Sequence, residues 1–553
     1  MNIRDCYKGR RAAAVVASVS MLLGTLLICD TYRTLSQTHD EAAHIACGME
    51  WLTEHTYRRE PLHPPLARVA VALGPFISGL RDQPQLPMTA AGNAVIEANG
   101  RYRSNLMLAR LGVIPFFWLA GVVMWRFVSR RFGYWEAAVS IVVLAFCPLV
   151  LAHAGVATTD VPLMSTFLLA IERFDNFLYS SSVRSAALFG TASGIAILTK
   201  LTAIPFLIVC VGVVLAILCL QNRRTPMRVA FVLCSLAATV LVLWAGYRFS
   251  VGPVLVSDKL DGHALAVVDR LPQAIRHLLF SVRIPAPEFF AGVGMVISHN
   301  ASGAPAYLLG ENYTGGRLLF FPVAILVKTP IPVLLLSALG IGLLVRSARA
   351  NRSALLVVTG IAGPLLVVMV GHINIGLRHV LVIYPFCSVA AGIASVWLWN
   401  VCPNVQVMLR SLLLLALGWE IVGTVNACPD FLAYFNEPAE PYADRILTDS
   451  DLDWGQDFLR LEGALSKRKE IAKLWIAYSG TVDIQKHVLP THEDLSTAHE
   501  PQGWIAISIS KLRADPRDYG WLDQYAPVER IGHSILLYHV CSKTASSGEQ
   551  ARQ

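Results

Sequence analysis

The stretch D-E-A-A-H-I-A-C-G-M-E-W-L at residues 40–52, followed by E-P-L-H-P-P-L-A-R-V at 60–69, decides how the chain is organised. It comes after the first apolar run and opens with two adjacent carboxylates, Asp40 and Glu41. A carboxylate at the edge of a membrane is costly, so it generally serves a function. Asp40 and His44 are four residues apart and share one face of a helix. The stretch therefore predicts an outer loop that carries a reactive acid, with His44 orienting or tuning it.

The composition is that of an integral membrane protein. Of the 553 residues, 54% are hydrophobic and 15% are charged, whereas a soluble domain carries about 25% charged residues. The net charge of +8 sits largely in short loops between apolar runs, which indicates membrane topology and no nucleic-acid partner. The eleven cysteines include no C-x-x-C pair, which argues against a metal ribbon or a redox motif.

Eleven apolar runs are long enough, or nearly long enough, to cross a membrane as helices. We therefore predict a mainly α-helical, polytopic membrane domain over residues 1–427. The runs lie at 12–29, 106–127, 136–153, 161–178, 186–199, 202–220, 229–249, 328–345, 354–371, 379–398 and 411–427.

Arginine clusters in alternate loops mark the cytoplasmic side by the positive-inside rule. This rule places the N-terminus in the cytoplasm and the segments 30–105, 250–317 and 428–553 outside. The first outer loop should hold short interfacial helices. The loop clusters are Arg126, Arg130 and Arg131; Arg173 and Arg184; Arg223, Arg224 and Arg228; and Arg346, Arg349 and Arg352.

The composition changes after residue 427. Short β-like runs at 473–478, 503–509 and 534–540 follow a helical stretch near 455–468. We predict a small extracytoplasmic α/β domain over 428–553.

Further polar residues fall on the same predicted outer side, although nothing in the span assignment required this. Lysine and arginine stabilise the charge of a departing phosphate, and a carboxylate can take the proton of an acceptor hydroxyl. The pattern indicates transfer of a sugar from a lipid phosphate, and a single base with an external acceptor predicts inversion at the anomeric carbon. The predicted substrate-binding residues are His44, His63, Asp160, Lys200, Lys328, Arg378 and His379, with Asp40 and Glu41 as the catalytic pair.

Each of these residues also has a structural alternative. Asp40 and Glu41 could simply cap and charge the start of an amphipathic helix. Asp160 could be an N-cap before Pro162, and lysines at helix ends could extend to lipid headgroups. Arg378 could be an interface anchor and His63 a loop histidine. The acidic string at 448–457 lacks the glycine and glutamate of an EF-hand loop, so helix capping is the interpretation there.

The motifs resemble a known family. D-E-A-A-H-x-x-x-G followed by H-P-P-L-A is similar to the first-loop motif of protein O-mannosyltransferases and of the bacterial aminoarabinose transferases of lipid A. A-T-T-D-V-P-L at 157–163 and I-L-T-K-L-T-A at 197–203 resemble later landmarks of this glycosyltransferase family 39 group, which has the GT-C fold. V-K-T-P-I-P at 327–332 and G-L-R-H-V-L-x-x-Y-P at 376–385 resemble bacterial members.

The resemblance implies a polyprenyl-phosphate sugar donor and a location in the bacterial inner membrane. It implies that Asp40 is the catalytic acid, that Glu41 contacts the acceptor, and that Lys200 and Arg378 contact the phosphate. The acceptor is a protein, lipid or glycan, and membrane lipids surround the chain. The second motif has a single acid, Asp160, where an acidic pair would favour a metal; no metal ligands are assigned, and a divalent cation stays open as a cofactor.

Two other classes of function are compatible with these features. A transporter or flippase of a lipid-linked anion would show matching half-chains with broken helices. The long first outer loop has no counterpart at mid-chain, which favours the enzyme. A non-catalytic scaffold with a partner-binding C-terminal domain is the third class.

Overall fold

The computed structural model describes residues 3–221, 228–253, 272–401 and 405–541. The loop arginines Arg223 and Arg224, and the part of the second outer loop at 254–271, lie outside the described residues. The domain boundaries at 30–105, 250–317 and 427/428 stay predictions.

Within the described ranges the chain is mainly helical. The helices of the membrane part and its loops are Ile3–Thr34, Glu41–Thr53, Pro65–Ile77, Met88–Ile96, Tyr102–Arg110, Ile114–Arg131, Tyr134–Ala145, Pro148–Ala154, Asp160–Ser180, Val183–Thr199, Ala203–Leu220, Val229–Gly246, Gln273–Ser281, Pro287–Ser302, Phe320–Lys328, Ile331–Ala348, Arg352–Met369, Tyr384–Asn400 and Gln406–Asn426.

Helical structure covers each of the eleven predicted spans, in some of them as two consecutive helices, but not every helix is a clear span. In the described part of the chain, eight helices are long and apolar enough to cross a membrane, or nine if the pair Tyr134–Ala145 and Pro148–Ala154, bent by 65°, is one span. Two predicted spans fall outside this count for physical reasons. Val183–Thr199 has only 17 residues. Asp160–Ser180 carries four charged residues and is largely buried among other helices.

The two ends of helix Asp160–Ser180 lie in different charged environments. Near its C-terminal end, Asp175 accepts a hydrogen bond from Arg131 Nε at 2.6 Å and Glu172 lies 3.0 Å from Arg173 Nε. Arginines from separate predicted cytoplasmic loops therefore meet at this end. Asp160 begins the helix fifteen residues before Asp175, about 22 Å away at 1.5 Å per residue. This separation agrees with the predicted topology, whose orientation stays a prediction.

Short helices form the segment 41–96, within the predicted first outer loop. Two glycines allow them to pack closely. A Cβ on Gly48 would lie 2.0 Å from the carbonyl oxygen of Arg68, and a Cβ on Gly92 would lie 1.9 Å from that of Ala42. Helix Glu41–Thr53 is thereby held against its neighbours Pro65–Ile77 and Met88–Ile96 by direct backbone contact. This contact fixes where Asp40, the residue before the helix, is placed.

Residues 473–540 form a five-stranded sheet. Its strands are β5 (Lys473–Ala477), β6 (Thr491–Asp494), β7 (Gly503–Ser508), β8 (Glu529–Ile531) and β9 (Ile535–Val540), in the order β6-β5-β7-β9-β8. β5 runs parallel to β6 and β7, and β9 is antiparallel to β7 and β8. Three of the strands are those the sequence predicted. Four shorter strands form two hairpins in the second outer loop: β1 (Val251–Pro253), β2 (Arg283–Pro285), β3 (Pro305–Leu308) and β4 (Glu311–Thr314).

Alternate residues of this sheet pack in opposite directions, as the two-residue period of a strand requires. Leu474 and Leu537 form a local core with helix Phe458–Leu465. Ile505 and Tyr538 join the same apolar cluster as the membrane helices. The C-terminal domain is therefore packed onto the membrane part through one face of its sheet.

Candidate active site

Asp40 lies at the centre of the charged residues that the sequence singled out. Its Oδ2 accepts a hydrogen bond from Arg378 NH1 at 2.7 Å. The Asp40 side chain is 26% exposed, whereas that of Arg378 is 8% exposed. Asp40 precedes helix Glu41–Thr53 but its carboxylate makes no capping hydrogen bond there. The capping alternative therefore does not account for this acid.

A second acid lies on the other side of Arg378. Asp160 Oδ1 accepts a hydrogen bond from Lys200 Nζ at 2.7 Å, and Asp160 Oδ2 lies 3.9 Å from Arg378 NH1. Asp160 Oδ2 and Arg378 Nε are buried and have no hydrogen-bond partner. Residues from four distant segments thus form a continuous chain of alternating charge, Asp40–Arg378–Asp160–Lys200, with spare donor and acceptor capacity.

Two imidazoles face this chain. His379 lies within the electrostatic reach of Lys200, Arg378, Asp160 and Asp40, and its buried Nε2 has no hydrogen-bond partner. The sequence did not single out the other imidazole, His153, which is fully buried with both ring nitrogens unpartnered. The sequence signal that could have identified His153 is the presence of a histidine within an apolar helix.

The side chain of Glu41 lies inside the protein. It is fully buried, and its oxygens accept hydrogen bonds from Arg110 Nε at 2.8 Å and Arg110 NH2 at 2.9 Å. The backbone N–H groups of Thr38 and Ala157 also donate to it, each at 2.7 Å. These bonds join the first outer loop to the segment that leads to Asp160. They occupy the carboxylate that the sequence predicted to contact the acceptor.

His44 and His63 form a separate cluster around Arg68. Arg68 is 1% exposed; its Nε donates to His44 Nδ1 at 3.1 Å and its NH2 forms a short ion pair with Glu60. The two imidazole rings meet edge to face, with centroids 5.2 Å apart. Burial first, and then the charge of Arg68, lower the pKa of His44 well below its usual value. A neutral His44 accepting from Arg68 fixes the start of helix Glu41–Thr53 behind Asp40.

Lys328 is completely buried and is taken up by backbone carbonyls. Its Nζ donates to Leu432 O at 2.7 Å and makes a short hydrogen bond to Asp451 O. It also lies 4.4 Å from the ring centroid of Phe435. The ammonium therefore binds the segment that enters the C-terminal domain, and its hydrogen bonds go to backbone carbonyls.

The acidic string at 448–457 contacts the site directly, which the sequence did not predict: the ring centroid of Trp454 lies 4.3 Å from the guanidinium carbon of Arg378. Burial raises the pKa of Asp449 to about 6 although Arg378 opposes the shift, and Asp40 and Asp451 contribute to raising it. Asp449 has a φ of +53°, a conformation that is unfavourable for a residue other than glycine and often marks a functional site. The capping interpretation missed these contacts because they join residues distant in sequence.

The ionisation of Asp40 is set by its surroundings. Burial alone would raise the pKa of this carboxyl, but the charge of Arg378 above all holds it below its usual range. Asp40 is therefore an anion at neutral pH, as a proton acceptor must be.

The donor set does not fit a metal ion. Across the residues that the structure describes, no group of three or more His, Cys, Asp or Glu side chains is arranged to hold one. Asp40 and Asp160 each face a cationic side chain instead.

Residues 103–250 match the family model of the dolichyl-phosphate-mannose-protein mannosyltransferases. The matched range is less than a third of the chain; it includes Asp160 and Lys200 and excludes Asp40 and Arg378. No curated protein matches the chain.

Solved membrane proteins share its fold at low sequence identity. ArnT from Cupriavidus metallidurans, in a structure bound to undecaprenyl phosphate, is 14% identical with a TM-score of 0.49, over 95% of this chain and 98% of ArnT. The oligosaccharyltransferase from Archaeoglobus fulgidus, in a complex with Zn and sulfate, is 10% identical with a TM-score of 0.50, over 90% of this chain and 68% of that protein.

Proposed function

We propose that this chain transfers a sugar from a polyprenyl-phosphate carrier to an acceptor hydroxyl. It is a multi-pass membrane protein, and its resemblance to the GT-C glycosyltransferases of family 39 is confirmed by the family match and by the fold. The observation that carries the proposal is the buried charge chain Asp40–Arg378–Asp160–Lys200. It places one partly exposed carboxylate beside cations that can bind a phosphate.

Arg378 and Lys200 bind the phosphate of the donor in this mechanism. The Nε of Arg378 has no hydrogen-bond partner. Both cations are nearly excluded from water, and hydrogen bonds to a phosphate oxygen are strong in such a buried place. When the bond between the anomeric carbon and the phosphate oxygen breaks, the negative charge grows on that oxygen. The two cations stabilise the charge as it develops.

Asp40 accepts the proton of the acceptor hydroxyl. Its carboxylate is the more exposed of the two acids in the chain, so an acceptor can reach it. As the donor phosphate takes up hydrogen bonds from Arg378, the pKa of Asp40 rises towards its ordinary value and the carboxylate becomes a stronger base. One base acting on an external acceptor leads to inversion at the anomeric carbon.

Asp160 and Glu41 hold the site together in this proposal. Asp160 keeps Lys200 and Arg378 a few ångströms apart. Glu41 binds Arg110 and two backbone N–H groups, so we assign it a positioning role in place of the acceptor contact that the sequence predicted. His379 faces the charge chain and is proposed to contact the donor. His63, in the cluster around Arg68, is also proposed to contact it.

The donor is a dolichyl- or undecaprenyl-phosphate sugar, a hexose or a pentose, and the acceptor is a protein, lipid or glycan. We further propose that the site faces the outer side of a bacterial inner membrane, with a cytoplasmic N-terminus and an extracytoplasmic C-terminal domain. A reporter active only outside the cytoplasm, fused after residue 541, tests this orientation.

The decisive experiment supplies the purified full-length protein with labelled polyprenyl-phosphate sugars and a mixture of acceptors. We expect release of the polyprenyl phosphate coupled to labelling of an acceptor. Movement of the labelled lipid across a vesicle bilayer without release of the sugar would instead support the flippase alternative.

A further inference from the structure

Trp454 of the C-terminal domain contacts Arg378 and the residue that precedes Asp40. The guanidinium carbon of Arg378 lies 4.3 Å from the centroid of the Trp454 ring. The carbonyl oxygen of Trp454 accepts a hydrogen bond from the N–H of His39, the residue before Asp40, at 3.0 Å. The tryptophan is 3% exposed. Trp454 therefore contacts the cation of the ion pair through its ring and the backbone next to the acid through its carbonyl.

The residues before Trp454 form hydrogen bonds with the loop that carries Arg378. Ser450 Oγ donates to Ile375 O at 2.6 Å, and Asp451 Oδ1 accepts from Leu377 N at 3.0 Å. Gly376 has a φ of +142°, and a Cβ there would lie 2.0 Å from Ser450 Oγ. Only a glycine permits this approach.

The residues after Trp454 form hydrogen bonds with the loop that carries Asp40. Ser36 N donates to Gln456 O at 2.9 Å, and Ser36 Oγ donates to Gly455 O at 3.0 Å. The segment 449–456, which we call the bridging segment, thus fixes the backbone on both sides of the ion pair.

The Trp454 ring restricts where the guanidinium of Arg378 can lie. A guanidinium is attracted to the face of an aromatic ring, and its carbon lies 4.3 Å from the Trp454 centroid. Because Arg378 is also bonded to Asp40 at 2.7 Å, two contacts hold the guanidinium beside the acid. A smaller side chain at position 454 would remove one of them.

We propose that Trp454 is a positioning residue for sugar transfer, which aligns Arg378 against Asp40 and makes the C-terminal domain part of the active centre. The inference rests on the proposed function for its role in transfer, while the positioning itself can be measured without it.

The test compares Trp454→Leu and Trp454→Phe with the matched control Trp475→Leu, a half-buried tryptophan on β5 of the same domain. Transfer is measured against pH. A desolvated stacking contact corresponds to a loss in kcat of about thirtyfold in Trp454→Leu, and a smaller loss is expected in Trp454→Phe. A loosened Arg378 lowers the pKa of Asp40 less in the protein without donor. The acid limb of kcat/KM, which reports that free form, should therefore move to higher pH in both variants. Trp475→Leu should match the wild type.

Hydrogen exchange of the full-length protein provides the readout that does not depend on activity. Peptides covering 36–42 and 375–380 should exchange faster in Trp454→Leu and not in Trp475→Leu. If the leucine variant does not fold, the phenylalanine variant decides by the same measurements. Unchanged exchange in both peptides with an unmoved acid limb overturns the inference. If the wild type transfers no sugar but the Trp454→Leu protein still exchanges faster than the wild type in these peptides, the proposed function is wrong and the positioning inference stands.

Discussion

Replacing Asp40 by asparagine removes the proposed base while keeping its shape. The amide oxygen can still accept the hydrogen bond that Arg378 NH1 now donates to Asp40 at 2.7 Å, and Arg378 keeps Asp160 at 3.9 Å. The variant therefore separates chemistry from folding better than a truncation to alanine would.

The expected loss of activity exceeds the expected loss of stability. A general base contributes about a hundredfold to ten-thousandfold to a rate, which corresponds to about 3–5 kcal/mol in the activation free energy. The Asp40 carboxylate is 26% exposed, so its ion pair is screened by water, and losing the pair costs about 1 kcal/mol of folding free energy. The Asp40→Asn protein should therefore fold normally and be nearly inactive, with a KM for the donor close to that of the wild type.

The assay follows sugar release from a labelled polyprenyl phosphate by the full-length protein, with thermal melting as the check on folding. Asp444→Asn is the matched control, because Asp444 is 21% exposed and pairs with Arg513 at 2.7 Å in another part of the outer side. It should retain full activity. An Asp40→Asn protein whose rate stays within about threefold of the wild type would refute the assignment of a general base.

Other variants test the remaining parts of the site. Arg378→Gln should raise the pKa of Asp40 in the protein without donor. Since the base must be ionised, the acid-side fall of kcat/KM, which reports that free form, should begin at a higher pH than in the wild type. The stability from this pair is present above the ordinary aspartate pKa of about 3.9 and is lost as the pH falls through the lowered pKa, so Arg378→Gln should flatten the melting temperature between about pH 4 and pH 2. Glu41→Gln breaks a fully buried pair with Arg110 and should cost about 3–5 kcal/mol of unfolding free energy; a melting temperature equal to that of the wild type would contradict the positioning role. Gly48→Ala should likewise lower the melting temperature, because its Cβ would overlap the carbonyl of Arg68. Dialysis against EDTA should leave transfer unchanged, and a loss that Zn²⁺ or Mg²⁺ restores would show that the acids rearrange to bind a cation.

Much of the fold followed from local patterns. Apolar runs of about twenty residues have one stable arrangement in a bilayer, because every backbone polar group must be bonded within the segment. This is why helical structure covers each predicted span. The exceptions to the span count are also physical: Asp160–Ser180 is too charged to face lipid and is surrounded by protein.

The site was predicted in part for a different reason. Charged side chains are rare near a membrane, so Asp40, Asp160, Lys200 and Arg378 stood out individually, and alternate loops placed them on one side. The sequence could not separate Asp40 from Glu41, which are adjacent but point to opposite environments: one carboxylate is partly exposed and the other is fully enclosed by Arg110 and backbone N–H groups.

What the sequence by itself determined is the set of helices, which polar residues stand out near the membrane and the resemblance to a family of sugar transferases. Only the tertiary structure decided which charges pair, that Lys328 binds backbone carbonyls, and that Trp454 lies against Arg378. Helix formation and membrane insertion depend on neighbours within a few residues, whereas these pairings join positions as far apart as Asp40 and Arg378. Such pairings are selected by packing geometry, which no local pattern encodes.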